Sequence, residues 1–441
     1  MIDLLVRDCR VLQSERGALR LLERHDVAIR GERIEALEPA GRVDPGRCRE
    51  VLDARGMLAM PGLVNCHAHV PMVIFRGLAE DVDLETWFNE YMWPLESNLE
   101  ADDVFWGMQL GLAEMIESGC TAVADHYFYM DEAAAAVEKA GMRAALGWAI
   151  FGSDGEAGIE RGARFAERYH GAAGGRIQTW MAPHAPYTCD EDFLRRTAAR
   201  ARELGAGVHI HAAETVEQTR ASVERTGLTP IEQLERAGVL DGPCIVAHAC
   251  GATEKDIDIL ARSGAGVAHA PKTYLKLAMG AAPVCALRAA GVPVGLATDG
   301  AVSNNTLDLF ESMRLMAMVQ KHTHGSVACT LAETLCIATR ESARVYGLPD
   351  AIGHLAPGFA ADLILVDLSG VHHQPLHSPA ASLVYSARSS DVQTVMVAGK
   401  ILMRDRELLT LDKAEIVEHV SRATERLARR VPQARIQLYR P

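Results

Sequence analysis

The placement of histidine is the first chemical signal in this chain of 441 residues. His67-Ala68-His69 sets two imidazoles two positions apart. In extended backbone, residues i and i+2 share a side, so both rings can reach one ion. Imidazole nitrogen suits Zn, Fe, Ni or Co, and a carboxylate such as Asp299 completes a shell of that kind. His211-Ala212-Ala213-Glu214 is the second element. A Glu three residues beyond a ligand can hang over a metal without binding it, as a proton shuttle must. His248 ends the apolar run Cys244-Ile245-Val246-Ala247, where an unpaired polar group is costly. It either binds a second metal or sits beside the first and polarises the attacking water. His209 is expected to pack behind a ligand, and His269 to stay in the interior. A lone His-x-His is a weak pattern; joined by His211 and Asp299 it predicts a metal centre.

Such residues need a scaffold that brings distant positions together, and the hydrophobic rhythm supplies one. Apolar runs at Leu58–Val64, Thr121–Asp125, Arg143–Ile150, Ile177–Ala182, Gly207–His211, Cys244–His248, Gly266–His269 and Val294–Thr298 read as strands. Amphipathic stretches such as Asp103–Glu117, Glu191–Leu204, Thr253–Ser263 and Leu307–Lys321 read as helices between them. Eight strands alternating with helices over about 290 residues match a (β/α)8 barrel of the TIM type. The rival doubly wound sheet lacks its Gly-rich phosphate fingerprint here. His67, His69, His126, His184, His211, His248 and Asp299 then fall at strand C-termini, which open on one face of such a barrel.

Residues 1–55 read as short strands and turns. Residues 351–441 return to strands at Asp362–Val366, Leu383–Ser386 and Val392–Val397, then a charged helix from Lys413. Each end alone has too few strands to be stable, so the two are expected to form one small composite β-sandwich around a barrel of residues 56–350.

The composition excludes several classes. Lys plus Arg is 45 and Asp plus Glu is 58, a net charge of −13 that disfavours phosphate backbones and hence nucleic acid. No run approaches the roughly 18 apolar residues of a membrane span. The first ten residues carry Asp3, Arg7, Asp8 and Arg10, unlike a signal peptide. Ten Cys without CxxC pairs suit free thiols in the cytoplasm.

Pro61-Gly62-Leu63-Val64-Asn65-Cys66-His67-Ala68-His69 resembles the opening metal motif of the amidohydrolase superfamily, and Pro357-Gly358-Phe359-Ala360-Ala361-Asp362-Leu363 resembles its return into the small sandwich. The fourth strand, Trp180-Met181-Ala182-Pro183-His184, has no Lys to be carboxylated between two metals, and His211-x-x-Glu214 is similar to the deaminase pattern. The chain therefore resembles the mononuclear aminohydrolases, above all the S-adenosylhomocysteine and 5′-methylthioadenosine deaminases. The resemblance implies one divalent metal per subunit, Zn2+ or Fe2+, held by His67, His69, His211 and Asp299. It further implies that Asp299 takes a proton from water, that Glu214 protonates the ring nitrogen and that His248 assists the water. A cation lowers the pKa of water from 15.7 toward about 7, and ammonia is the leaving group. Relatives of this type imply a homo-oligomer.

Asp83-Leu84-Glu85-Thr86-Trp87-Phe88 is similar to the loop after the first strand in those deaminases, which implies ribose contact by Glu85 and nucleoside packing on Trp87. His184 matches their substrate-contacting histidine. Two departures stand out. Trp148 occupies the place of an Arg that would hold an amino-acid carboxylate, with Arg161 as a partial substitute. Lys272-Thr273-Tyr274 follows the seventh strand where a Ser-Asn pair is usual. These weigh against S-adenosylhomocysteine and leave adenosine or methylthioadenosine, with a pterin, guanine or s-triazine as alternative rings. The rival classes are a cyclic-amide or chloro-triazine hydrolase and a non-enzymatic scaffold.

Overall fold

The computed structural model describes residues 1–15, 18–429 and 439. The chain begins with β1 (Ile2–Glu15), β2 (Ala18–Arg30), β3 (Arg33–Pro39), β4 (Cys48–Asp53) and β5 (Met57–Pro61). The barrel strands are β6 (Leu63–Ala68), β7 (Cys120–Tyr127), β8 (Arg143–Ile150), β9 (Ile177–Pro183), β10 (Gly207–Ala212), β11 (Cys244–His248), β12 (Gly266–His269) and β13 (Val294–Leu296). The last strands are β14 (Leu363–Asp367), β15 (Val392–Val397), β16 (Lys400–Arg404) and β17 (Glu407–Leu408).

Strands β6 to β13 lie side by side in chain order and run parallel. Their residues are almost all buried, as expected for strands covered by helices on one side and packed on each other within. The first and last strands are tied by one side chain. Asn65 Nδ2 donates to Thr298 Oγ1 at 2.7 Å, and its carbonyl accepts the Thr298 N–H at 3.1 Å. The Asp299 N–H donates to the His67 carbonyl at 3.0 Å, which joins two candidate ligands by backbone. The connecting helices start where their caps dictate. Asp190 accepts the Phe193 N–H at the head of Glu191–Leu204, and Thr253 with Asp256 forms a capping box ahead of Glu254–Ser263.

The second sheet combines both ends of the chain in the order β17-β16-β15-β14-β5-β1-β2-β3, with β4 on β1. It is joined to the barrel by Arg143, whose guanidinium donates twice to Asp362, at 2.6 and 3.0 Å. The pair is buried, so removing either partner strands a charge, at a cost of about 3–5 kcal/mol.

Two expected strands differ. The run Leu58–Val64 is not one strand: it divides at Gly62. Met57–Pro61 pairs antiparallel with β14, while Leu63 begins the barrel. Gly62 N–H donates to Asp362 O, and the next residue, Leu63, donates to Gly119 O, so the hydrogen-bond partner changes sheet between neighbours. A Cβ at position 62 would sit 2.2 Å from the Thr121 side chain, so only glycine allows this crossing. His67 consequently lies inside its strand rather than past it, as does His126. The segment Leu383–Ser386 is largely helical: Pro379–Tyr385 forms about two turns, and the Ser378 hydroxyl oxygen accepts the Ala381 N–H. Among the described residues, no helix is long and apolar enough to cross a membrane.

Candidate metal centre and adjoining cavity

The rings of His67, His69 and His211 converge at the C-terminal mouth of the barrel. Their ligand atoms lie within 4.8 Å of one another, as do those of His67, His248 and Asp299. His67 and His69 each point Nε2 at Asp299 Oδ1, at 3.5 and 3.3 Å, and His69 Nε2 is 3.3 Å from His211 Nε2. Ligands at 2.0–2.1 Å from a tetrahedral ion stand roughly 3.3 Å apart, so these edges have the size of a coordination shell. The other ring nitrogens are committed elsewhere. His67 Nδ1 meets His209 Nε2 at 2.8 Å, His69 Nδ1 meets the His126 carbonyl at 2.6 Å and His211 Nδ1 meets the His184 carbonyl at 2.7 Å. A partner on Nδ1 fixes each ring's orientation and leaves Nε2 for the ion. His67 Nε2 is buried with no hydrogen-bond partner, an orphan that a cation would satisfy. The donor set fits a divalent metal of the Zn or Fe type.

The protonation states agree. Burial, with neighbouring imidazoles, holds His211 well below the ordinary histidine range, and burial pulls His248 down to about 3. Both are neutral, the form that ligates or offers a hydrogen bond. Burial would raise Asp299, but His67, His69 and His248 outweigh it and keep the carboxyl ionised, well below the usual range. Its Oδ2 accepts the Ser303 hydroxyl at 2.8 Å. Asp299 and His248 both have positive φ, of 64° and 81°, so each strand end turns sharply to aim its side chain inward.

Glu214 follows β10 and is 4% exposed. Gln218 holds it from both sides: the Glu214 N–H donates to Gln218 Oε1 at 2.8 Å, and Gln218 Nε2 donates to Glu214 Oε1 at 3.2 Å. Burial raises its carboxyl to about 7 against the lowering effect of Gln218 and the Tyr187 hydroxyl. Near neutrality it therefore holds or releases a proton, as a shuttle must. The loop after β11 comes close because residue 251 is glycine: a Cβ there would lie 2.2 Å from the Thr215 carbonyl.

A cavity opens over these residues, lined by His69, His126, His211, Glu214, His248 and Asp299 on one side. Trp87, Phe88, Trp93, Met72, Met92, Phe151 and Met279 form its apolar wall, and His184 stands between, stacked on Phe151 at 4.8 Å. No Lys or Arg is among the described residues that line it.

The other expected contacts fall outside the lining. In β8 the alternation of side chains turns Ala149 to the cavity. Trp148 instead packs on Phe165 and beneath the Arg161 guanidinium, 5.7 Å from its ring. Arg161 is paired with Asp154 at 2.9 Å. Glu85 is exposed on the first turn of the helical loop, while its neighbours Leu84 and Trp87 face the cavity. His269 is buried against Tyr274. Residues the sequence reasoning did not assign are Glu96 and Tyr127. Burial raises Glu96 to about 8 despite the adjoining Tyr127 hydroxyl, so a protonated carboxyl lines the cavity. The signal that existed was a Glu next to a Trp-Pro-Leu run, uninformative without the barrel.

Known proteins place the chain. A relative from Desulforudis audaxviator (strain MP104C), a 5-methylthioadenosine/S-adenosylhomocysteine deaminase, is 45% identical over 414 residues, 92% of this chain and 94% of the relative. A zinc-bound adenosine deaminase from Xanthomonas campestris superposes with a TM-score of 0.92 at 34% identity, over 97% of this chain and 99% of that one. A zinc-bound atrazine chlorohydrolase from Arthrobacter aurescens TC1 gives 0.87 at 25% identity, over 96% and 100%. The pattern of the amidohydrolase family matches residues 58–402, a stretch that holds the barrel, most of the C-terminal strands and every residue of the His67–Asp299 cluster, and the chain belongs to that family.

Proposed function

We propose that the chain catalyses metal-dependent hydrolytic deamination of an adenine nucleoside carrying a small uncharged 5′ substituent, with adenosine and 5′-methylthioadenosine as its substrates. The observation that carries the reading is the cavity itself. A carboxyl raised to about 7 and an ionised carboxylate line it together with the histidine cluster, and the rest of the described wall is aromatic and thioether, with no Lys or Arg among the described lining residues. An amino-acid tail such as that of S-adenosylhomocysteine would meet no cationic partner among the described lining residues.

His67, His69, His211 and Asp299 would hold a divalent ion, and their imidazole and carboxylate donors suit Zn2+. A divalent cation bound there supplies Lewis acidity that makes hydroxide available near neutral pH. Asp299 accepts the proton of the attacking water. His248, uncharged, directs a ring nitrogen at the oxygen. Glu214 passes a proton to the ring nitrogen beside the attacked carbon, so that negative charge does not build on the ring; Asp299 then gives the water's proton to the amine, which departs as ammonia, and the proton of the new hydroxyl returns to Glu214. Trp87, Phe88 and His184 sandwich the nucleoside and shield these transfers from bulk water. Residues 56–350 form the catalytic unit in this reading, with the terminal segments as its support. The ten thiols, all unpaired, suit the cytoplasm, and the working form is a homo-oligomer.

The test is ammonia release by the zinc-loaded protein from adenosine, methylthioadenosine, S-adenosylhomocysteine, guanine, a pterin and s-triazines. The expected result is kcat/KM for the first two at least about tenfold above the third, since an unpaired carboxylate forfeits more than 1.4 kcal/mol. Preferential turnover of guanine, a pterin or a triazine overturns the nucleoside assignment, and no ammonia from any of them overturns deamination.

A further inference from the structure

Tyr439 is the one described residue beyond position 429, and it is 5% exposed. Chain ends are ordinarily loose unless something ties them down. Here the tie is the buried side-chain amide of Asn89, which grips the backbone of residue 439 from both sides. The Tyr439 N–H donates to Asn89 Oδ1 at 2.8 Å, and Asn89 Nδ2 donates to the Tyr439 carbonyl at 3.4 Å. A clamp on backbone groups fixes the residue's position, and the ring then decides what it does there.

That ring lies flat on Phe88, at 5.0 Å and 11°, and meets Tyr187 edge-on at 5.4 Å. Phe88 is part of the cavity wall, in the π-helical turn Trp87–Met92, and touches Trp87 at 4.8 Å. Tyr187 comes from the loop after β9; its hydroxyl adjoins Glu214, and its ring touches His184 at 5.6 Å. The carboxyl-terminal ring thus bridges the loop after the first barrel strand and the loop after the fourth, holding the aromatic wall at a set distance from the proton-carrying side. A π turn is an irregular, less rigid piece of helix, the kind of element that gains from an external brace.

We infer that Tyr439 is a positioning residue for the substrate cavity: it acts through Phe88 and Tyr187, setting the affinity for the nucleoside without touching the reacting atoms. The inference rests on the nucleoside reading above.

The experiment is steady-state kinetics of the full-length, zinc-loaded enzyme on methylthioadenosine. Tyr439→Ala should raise KM roughly tenfold, the worth of two aromatic pairs, with kcat changed less than about threefold. Tyr439→Phe, which keeps both ring contacts, should restore KM. Asn89→Ala should raise KM too, and the double variant should do no worse than the more severe single, since both act through one contact. Wild-type KM in Tyr439→Ala overturns the inference, and so does an equal defect in Tyr439→Phe, or a kcat loss that tracks a lowered melting temperature. The wild type's activity on nucleosides separately decides the functional reading. Should it have none, acrylamide quenching of tryptophan fluorescence still tests the brace: Tyr439→Ala should expose Trp87 and steepen the quenching, and an unchanged slope overturns the inference.

Discussion

Among the described residues, two clusters pair histidines with an aspartate, one at the barrel mouth and one between β14 and β15, and they differ in a way that residue type does not reveal. His67, His69 and Asp299 keep 3.3 to 3.5 Å between nitrogen and oxygen, and a buried Nε2 has no partner. His372, His373 and Asp391 also gather within reach of one ion. There both Nε2 atoms hydrogen-bond the same Asp391 oxygen, at 2.9 and 3.1 Å, and that oxygen also accepts the Arg388 N–H at 2.7 Å. Ser382 holds His373 Nδ1. The first cluster has the spacing of a shell around something; the second is closed on itself and pins the segment between β14 and β15. Unsatisfied donors and acceptors distinguish a binding site from a brace, whatever the residues are called.

The largest expected effect follows from the first cluster. Stripping the metal with a chelator, or His211→Ala, should abolish bound Zn by elemental analysis and lower turnover by about 10³-fold or more, restored by added Zn2+ in the wild type alone. The same chelation of a His373→Ala protein should read identically. If His373→Ala itself lost a second equivalent of metal, the distinction between the clusters would collapse.

Next comes Glu214→Gln, which should keep full metal content and lose about 10²–10⁴ in kcat. The wild-type profile carries the sign. Burial raises Glu214 to about 7, so its proton-donating form exists below that pH and is lost above it. A bound cation opposes the shift, so kcat should fall on a basic limb with its inflection at or below about 7, and the limb should vanish in the Gln variant. A basic limb that survives there assigns the donor elsewhere. Weaker again is His209→Ala. It removes the group that orients His67 through Nδ1, and should cost about 10–100-fold in zinc affinity, read by competition with a chromophoric chelator.

Much of this was open to sequence reasoning, for identifiable reasons. The barrel is legible because fully buried strands are continuous apolar runs broken by capped helices. The ligands are legible because His-x-His and strand-end polar residues violate that apolar rule. The Leu58–Val64 run misleads because hydrophobic periodicity is the same on both sides of Gly62, and only the partner changes from Asp362 to Gly119. Leu383–Ser386 misleads because four apolar-rich residues fit either period, although Ser378-Pro379 is a helix-start signal in plain view. Trp148 shows the limit at the site. Its position matches a family contact, but which way a strand-end side chain turns depends on register, and the register gives the cavity to Ala149. The aromatic wall and Tyr439 come from loops whose approach to one another no spacing encodes.

The smallest effect belongs to the second cluster. Asp391→Asn leaves His372 and His373 in place but weakens three hydrogen bonds to one oxygen, and should destabilise the fold by about 1–3 kcal/mol in denaturant titrations at pH 7. Burial tends to raise the Asp391 carboxyl, and the bonds from His372 and Arg388 outweigh it, so its folded value lies below the unfolded one. A depressed carboxyl contributes stability that is fully present above the unfolded value and lost as pH falls from there through the lower folded value. The wild type should therefore lose stability more steeply than the Asn variant on acidification, the two curves converging once the carboxyl is protonated. Metal content and kcat should not differ between them. Parallel acid curves would mean that Asp391 does little for the fold, and the idea of a self-satisfied brace would fail. A change in zinc stoichiometry would move the cluster into the same class as the barrel mouth.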